Sequence, residues 1–150
     1  GDEQSISGNF VLFDEDGDID GTWRSCNGTG GYDDFGPGMN VSVRDGEGKL
    51  IGTGDTVGLT EKNLAVVAGA DRAGHAQIGI VEDDQTDEEA VDALREFFDS
   101  TSGITCAVFF DVPVDRADFY SLSIGSRGEL NYSHEELEEN GFFASLNLGG

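Results

Sequence analysis

Ile104-Thr105-Cys106-Ala107-Val108-Phe109-Phe110-Asp111-Val112 is the stretch that decides the fold class of this chain. Ile104, Cys106, Val108, Phe110 and Val112 occupy alternate positions, and a period of two puts them on one face of a β-strand. Tyr120, Leu122 and Ile124 repeat the pattern in the next segment. The Ser126-Arg127-Gly128 turn then leads into Glu129 to Tyr132, and Phe142 to Leu148 makes a final strand. Upstream, Ile6 to Phe13 reads as a first strand. Met39 to Arg44 places Val41 and Val43 on one face, and the Asp45-Gly46-Glu47-Gly48 turn returns the chain through Lys49-Leu50-Ile51 as a hairpin. Glycine accounts for 23 of 150 residues and proline for 2, and the short apolar runs end in Gly, Asp or Asn. The expectation is a mainly-β protein, an antiparallel β-sandwich.

Two helices interrupt this pattern. Thr86-Asp87-Glu88-Glu89 is a capping box opening a helix over Glu88 to Phe98, whose Val91, Leu94, Phe97 and Phe98 share an apolar face. Ser133-His134-Glu135-Glu136 opens a second, short helix that Asn140-Gly141 stops. Between them and the hairpin, Leu64 to Val81 reads equally as strands or as helix fragments around a glycine-rich turn. At this length the chain is one domain, residues 1–150, with a single core.

The charge is lopsided: 31 acidic against 8 basic residues give a net charge of −23. Such a field repels nucleic acid and anionic lipid headgroups. Lysines stand only at Lys49 and Lys62, a usage compatible with a salt-adapted surface or with a high-GC genome. No apolar run approaches the length of a transmembrane helix. The first residues, Gly-Asp-Glu-Gln, carry no Met and no leader, which suggests a mature fragment from which a signal segment was removed.

Carboxylates crowd the run Asp14-Glu15-Asp16-Gly17-Asp18-Ile19-Asp20-Gly21. From Asp16 it reads D-x-D-x-D-G, as in the first half of an EF-hand loop. Position twelve, however, is Asn27 rather than a bidentate Glu, and a strand rather than a helix precedes the loop. The expectation is an irregular calcium site of the kind found in extracellular β-rich modules. Its ligands would be Asp14, Asp16, Asp18, Asp20, the Thr22 carbonyl, and Asp33 or Asp34 from the next acidic segment. The plain alternatives are a solvated acidic turn and a glycine-rich bend. Gly28-Thr29-Gly30-Gly31 has no following Lys and lies between acidic segments, which speaks against a phosphate cradle.

Cys26 and Cys106 belong to no C-x-x-C or Cys/His cluster. A disulfide is the economical reading, and two buried free thiols the alternative. Catalytic groups are sparse: His75 lies in a Gly/Ala-rich turn, His134 at the start of an exposed helix, and no serine sits in a G-x-S-x-G elbow.

Cys26-Asn27-Gly28-Thr29-Gly30-Gly31-Tyr32-Asp33-Asp34-Phe35 resembles a segment of secreted proteins and lipoproteins of high-GC Gram-positive bacteria, Cys-x-Gly-x-Gly-Gly-Tyr-x-Asp followed by an aliphatic residue. The Val41-to-Ile51 hairpin, the strand around Cys106, Val112-Pro113, Phe119-Tyr120, and Arg127-Gly128-Glu129-Leu130-x-Tyr132-Ser133 resemble the same family in the same order, as does Ser145-Leu146-x-Leu148-Gly149. The resemblance covers residues 6–54 and 104–149, with Phe35 in place of the aliphatic residue. It implies a prealbumin-like or carboxypeptidase-regulatory-like sandwich in a domain without an established activity, and makes residues 55–103 an inserted helical segment.

Three functions follow as expectations. The first is an extracellular or cell-surface interaction module, non-enzymatic and calcium-stabilised, binding a protein or cell-surface partner through aromatics at Trp23, Tyr32, Phe97 and Phe98. The second is a structural subunit that self-associates through strand edges. A small secreted hydrolase built on a carboxylate pair is the third.

Overall fold

The computed structural model describes residues 3–17, 19–126 and 128–149. Strands β1 (Glu3–Phe13), β2 (Ile19–Thr22), β3 (Ser25–Gly28), β4 (Asn40–Arg44), β5 (Leu50–Asp55) and β6 (Val57–Gly58) lead into helices α1 (Glu61–Arg72) and α2 (Asp87–Ser100). β7 (Thr105–Asp115), β8 (Phe119–Ile124), β9 (Gly128–Ser133), α3 (His134–Glu139) and β10 (Phe143–Gly149) complete the chain. One sheet has the order β10-β1-β7-β6, the other β5-β4-β8-β9, and β2 and β3 form a separate ribbon. The protein is a mainly-β sandwich. Its described pairings are antiparallel except that of β10 with β1, which is parallel.

Two cores share the first sheet. Between the sheets, Ile6, Phe10 and Leu12 of β1 and Val108, Phe110 and Val112 of β7 meet Val41, Val43, Tyr120, Leu122 and Ile124. On the opposite face of that sheet, Val11, Ala107, Phe109 and Phe143 meet Leu64, Val67 and Ala68 of α1 and Ala90, Leu94 and Phe98 of α2. β7 records this arrangement directly. Residues 105–110 are buried at every position, whereas Asp111, Pro113 and Asp115 alternate outward. The helix layer therefore covers only the first half of the strand. Ile104, expected on the inner face of this strand, lies instead in the preceding turn and is exposed, its N–H bonded to the Thr101 carbonyl.

Both capping boxes form as read: Thr86 with Glu89, and Ser133 with Glu136. The ambiguous Leu64-to-Val81 stretch resolves into a third helix and a loop. Thr60 caps α1 by accepting from the Asn63 N–H at 3.1 Å, and Leu64, Val67, Ala68 and Asp71 are its buried residues, at helical spacing. After α1 the strand-like sequence Gln77-Ile78-Gly79-Ile80-Val81 pairs with no strand, because Asp71 occupies its donors. The Asp71 carboxylate is 5% exposed. Its Oδ1 accepts from the N–H groups of Ile78 and Gly79 at 3.0 and 2.8 Å, and its Oδ2 from those of Ile80 and Val81 at 2.9 Å each. Segment 55–103 thus contributes β6 to the sheet and then roofs it with α1 and α2.

The two sheets converge at one corner. A Cβ on Gly52 of β5 would lie 2.6 Å from the Pro113 carbonyl oxygen and from Val114 Cγ1. Glycine there lets β5 approach the second half of β7, the half that no helix covers. No helix among the described residues is long and apolar enough to cross a membrane.

Candidate functional site

The acidic run straddles the end of β1 and the ribbon. Asp14 is buried where its N–H bonds the Ile104 carbonyl at 2.8 Å, and its Oδ1 accepts from the Asp16 N–H at 2.9 Å, a turn closed by a side chain. Asp16 is exposed, and Asp18 lies outside the described residues. Asp20 and Thr22 are exposed on β2, opposite Asn27 and Ser25 of β3. The ribbon strand therefore replaces the second half of an EF-hand-like loop. Asp33 and Asp34 follow a single 3₁₀ turn, Gly30–Tyr32, and Asp34 accepts from the Ser126 hydroxyl at 3.3 Å. Among the described residues no three Asp, Glu, His or Cys side chains converge as metal ligands. Asp14 and Asp16 are the pair that the structure holds at one turn.

Cys26 and Cys106 are bridged, 80 positions apart, tying β3 to the start of β7. At the ribbon tip, Arg24 lies over the Trp23 ring with its guanidinium carbon 4.6 Å from the centroid, and it reaches Glu61 of α1 at 3.0 Å. Arg95 of α2 joins the same carboxylate at 2.6 Å and Asp92 at 2.7 Å. The hydrogen bond from Arg95 is the main cause holding the Glu61 pKa below its ordinary value.

The aromatic surface expected at Trp23, Tyr32, Phe97 and Phe98 is not an exposed patch. Trp23 is 4% exposed and shares the helix-layer core with Phe98, which is buried. Phe97 is half-buried, 6.4 Å from Phe13 and 5.4 Å from Phe98, and Tyr32 packs against the sandwich core. The physical reason is the outer face of the first sheet, where Val11, Ala107 and Phe109 need an apolar cover that α2 and Trp23 supply.

His134 opens the largely exposed helix α3, as expected, but its own side chain turns inward. Its side chain is only 12% exposed. Nδ1 lies 2.9 Å from the Tyr120 hydroxyl, Nε2 lies 3.4 Å from Glu138, and Phe142 packs edge-on at 5.3 Å. The Ala117 N–H donates to that same hydroxyl at 3.1 Å, so Tyr120, itself fully buried, is held at its polar tip by both. This trio closes the end of the core beneath α3.

Opposite the helix layer, the outer face of the β5-β4-β8-β9 sheet has no element of the described residues over it. Its outward positions are mostly small and polar, with Ser42 opposite Ser123, and Thr53 and Asn131 on the flanking strands. Two large apolar side chains stand out of it, Phe119 at 59% and Leu50 at 49% exposure. Phe119 leans over the β4–β5 turn, where an added Cβ on Gly46 would lie 3.6 Å from it. On one side of the ring is a groove of about 380 Å³ bordered by Asp45, Ser121, Asn131, Tyr132 and Glu136. On the other is one of about 440 Å³ bordered by Asp45, Glu47, Arg116 and Asp118. Burial pushes the Tyr132 hydroxyl pKa up, the Glu136 carboxylate adds to that, and the Ser145 N–H acts in the opposite direction. Phe119 carried no role in the sequence reading, although the signal was present: it sits in the outward phase of a strand whose Tyr120, Leu122 and Ile124 point inward.

No protein-family model, curated protein or solved structure matches this chain.

Proposed function

We propose that this protein is an extracellular or cell-surface interaction module, without a catalytic role, that docks a protein partner on the uncovered outer face of the β5-β4-β8-β9 sheet. The observation that carries this reading is Phe119, a large aromatic more than half exposed between two grooves on a face that the fold leaves open. The Cys26–Cys106 disulfide supports an oxidising compartment. The resemblance of the Cys26-to-Phe35 segment to secreted proteins and lipoproteins supports the same placement.

The test is a photo-crosslinking amino acid placed at Phe119 in the full chain and, separately, at Glu88 on the far side of the molecule, applied to intact cells of the source. A discrete protein adduct from position 119 alone is the expected result. Adducts from both positions, or none from 119, would overturn the reading. A product of twice the chain mass would make the partner a second copy and the protein a self-assembling subunit.

Calcium belongs to this reading as a stabilising ion at the acidic run after β1, supported by the turn in which the Asp14 carboxylate accepts the Asp16 N–H and so keeps the two residues close along the chain. A lone site of this kind binds on the order of 10⁻⁴–10⁻³ M, and binding to the native state raises the melting temperature. Melting is expected to shift upward in millimolar calcium relative to chelator at constant ionic strength, and the shift should vanish in Asp16→Asn. An unchanged melt removes calcium from the proposal and leaves the docking face standing.

A further inference from the structure

We infer that Phe119 and the two grooves beside it receive an extended basic segment of a partner protein, one of whose arginines lays its guanidinium on the Phe119 ring. This deepens the docking reading above and rests on it. Both grooves share Asp45, Gly46 and Phe119, so they adjoin at the ring. A chain crossing it would put one side chain on the ring and its neighbours in the grooves. Four carboxylates line the two grooves, Asp45, Glu47, Asp118 and Glu136, with Arg116 among them, while Arg44 and Lys49 stand on the adjoining hairpin. An aromatic face attracts a cation through its quadrupole, and surrounding carboxylates add to that attraction. The chain's net charge of −23 steers cationic partners toward it.

Other occupants match the site less well. A purely apolar segment would strip water from Asp45 and Glu136, whose backbone N–H partners satisfy part of each carboxylate but bring no positive charge to it. An anionic one is repelled. Arginine suits the geometry better than lysine because its planar group stacks on a ring and still offers a fork of donors to a carboxylate. The molecule already uses this arrangement internally: Arg24 lies over Trp23 while bonding Glu61. At Phe119 the ring and the carboxylates are present, and no guanidinium of the described residues is stacked on the ring.

The probe is an end-blocked Gly-Arg-Gly-Arg-Gly peptide titrated calorimetrically into the intact disulfide-bonded protein at low salt, beside analogues with Glu or Leu in place of Arg. The Arg peptide is expected to bind and the other two to fail. Phe119→Ser removes the ring from an exposed position without touching the charge, and should weaken binding about 3–10-fold. Asp118→Asn with Glu47→Gln should weaken it further and flatten its salt dependence. Glu88→Gln with Glu96→Gln, the same loss of charge on the exposed side of α2, should leave it unchanged. Failure of the Arg peptide to bind, indifference to Phe119→Ser, or an equal loss from the α2 pair would overturn the inference. If position 119 still crosslinks a partner on cells while the Arg peptide fails, the docking face survives and the arginine falls. Peptide binding with the expected pattern but no adduct on cells upholds the groove chemistry and overturns docking at the cell surface.

Discussion

Asp71→Ala is expected to destabilise the protein by ~3–5 kcal/mol, although Asp71 lines neither groove at Phe119 and belongs to the helix layer on the other side of the first sheet. Four backbone donors, those of Ile78, Gly79, Ile80 and Val81, depend on this one carboxylate. A hydrogen bond to a charged group is worth about 1.5–3 kcal/mol net, and a buried donor left without a partner costs about 1–3 kcal/mol. The four do not add in full, because the 77–81 loop would open and let water in before all four donors stayed dry. That opening has its own cost, since Val81 and Ala76 belong to the helix-layer core. Asp71→Asn should be nearly as damaging. Each carboxylate oxygen serves two N–H groups, and an amide keeps one acceptor while turning donors toward the other pair. The shift in the urea midpoint, with amide exchange at residues 78–81, measures both effects. Unchanged exchange at those four amides would show that the carboxylate does not hold the loop.

Removing the disulfide has the second large effect. Cross-linking residues 80 apart restricts the unfolded chain by an amount worth ~4–5 kcal/mol in the chain-entropy treatment. That is a large share of the roughly 5–15 kcal/mol by which domains of this kind are stable. Cys26→Ala with Cys106→Ala, or reduction of the native protein, should therefore bring the chain close to its folding margin. The other tether of the ribbon is weaker: the Arg24–Glu61–Arg95 pairs are exposed and screened by salt, which leaves Trp23 burial to hold the tip. Reduction is expected to raise the intact mass by ~2 Da, the two hydrogens of the opened bridge, and to lower the denaturation midpoint sharply. A reduced protein as stable as the oxidised one would mean that the ribbon and the helix layer, not the bridge, anchor this end of the sandwich.

The sheets were legible because a strand with one buried face writes its burial into alternate residues. Tyr120, Leu122 and Ile124 are buried as read, and the hairpin from Met39 to Ile51 pairs Val41 with Gly54 and Val43 with Gly52. The helices α2 and α3 were legible for a different local reason. Each begins with a hydroxyl and a glutamate three residues apart, and that reciprocal cap needs nothing from the rest of the chain.

The sequence by itself thus determined the strands with a period of two, the capped helices, the acidic field that repels polyanions, and the presence of two cysteines without a metal pattern. Only the tertiary structure decided where those elements lie. The Leu64-to-Val81 stretch carried no decisive period, and it resolved into α1 and a loop because Asp71 can gather four donors only when the helix end and the loop are already adjacent. The parallel pairing of β10 with β1 depends on the chain crossing from one sheet to the other through α3, a long-range choice that no local alternation encodes. The same holds for the aromatics. Trp23, Phe97 and Phe98 were read as surface because the face they cover, Val11, Ala107 and Phe109, belongs to strands distant in sequence. Phe119 ended outside because no element among the described residues covers the sheet from which it projects. Periodicity reports that a side chain leaves one face of its own element; whether another element waits on that face is settled only by packing.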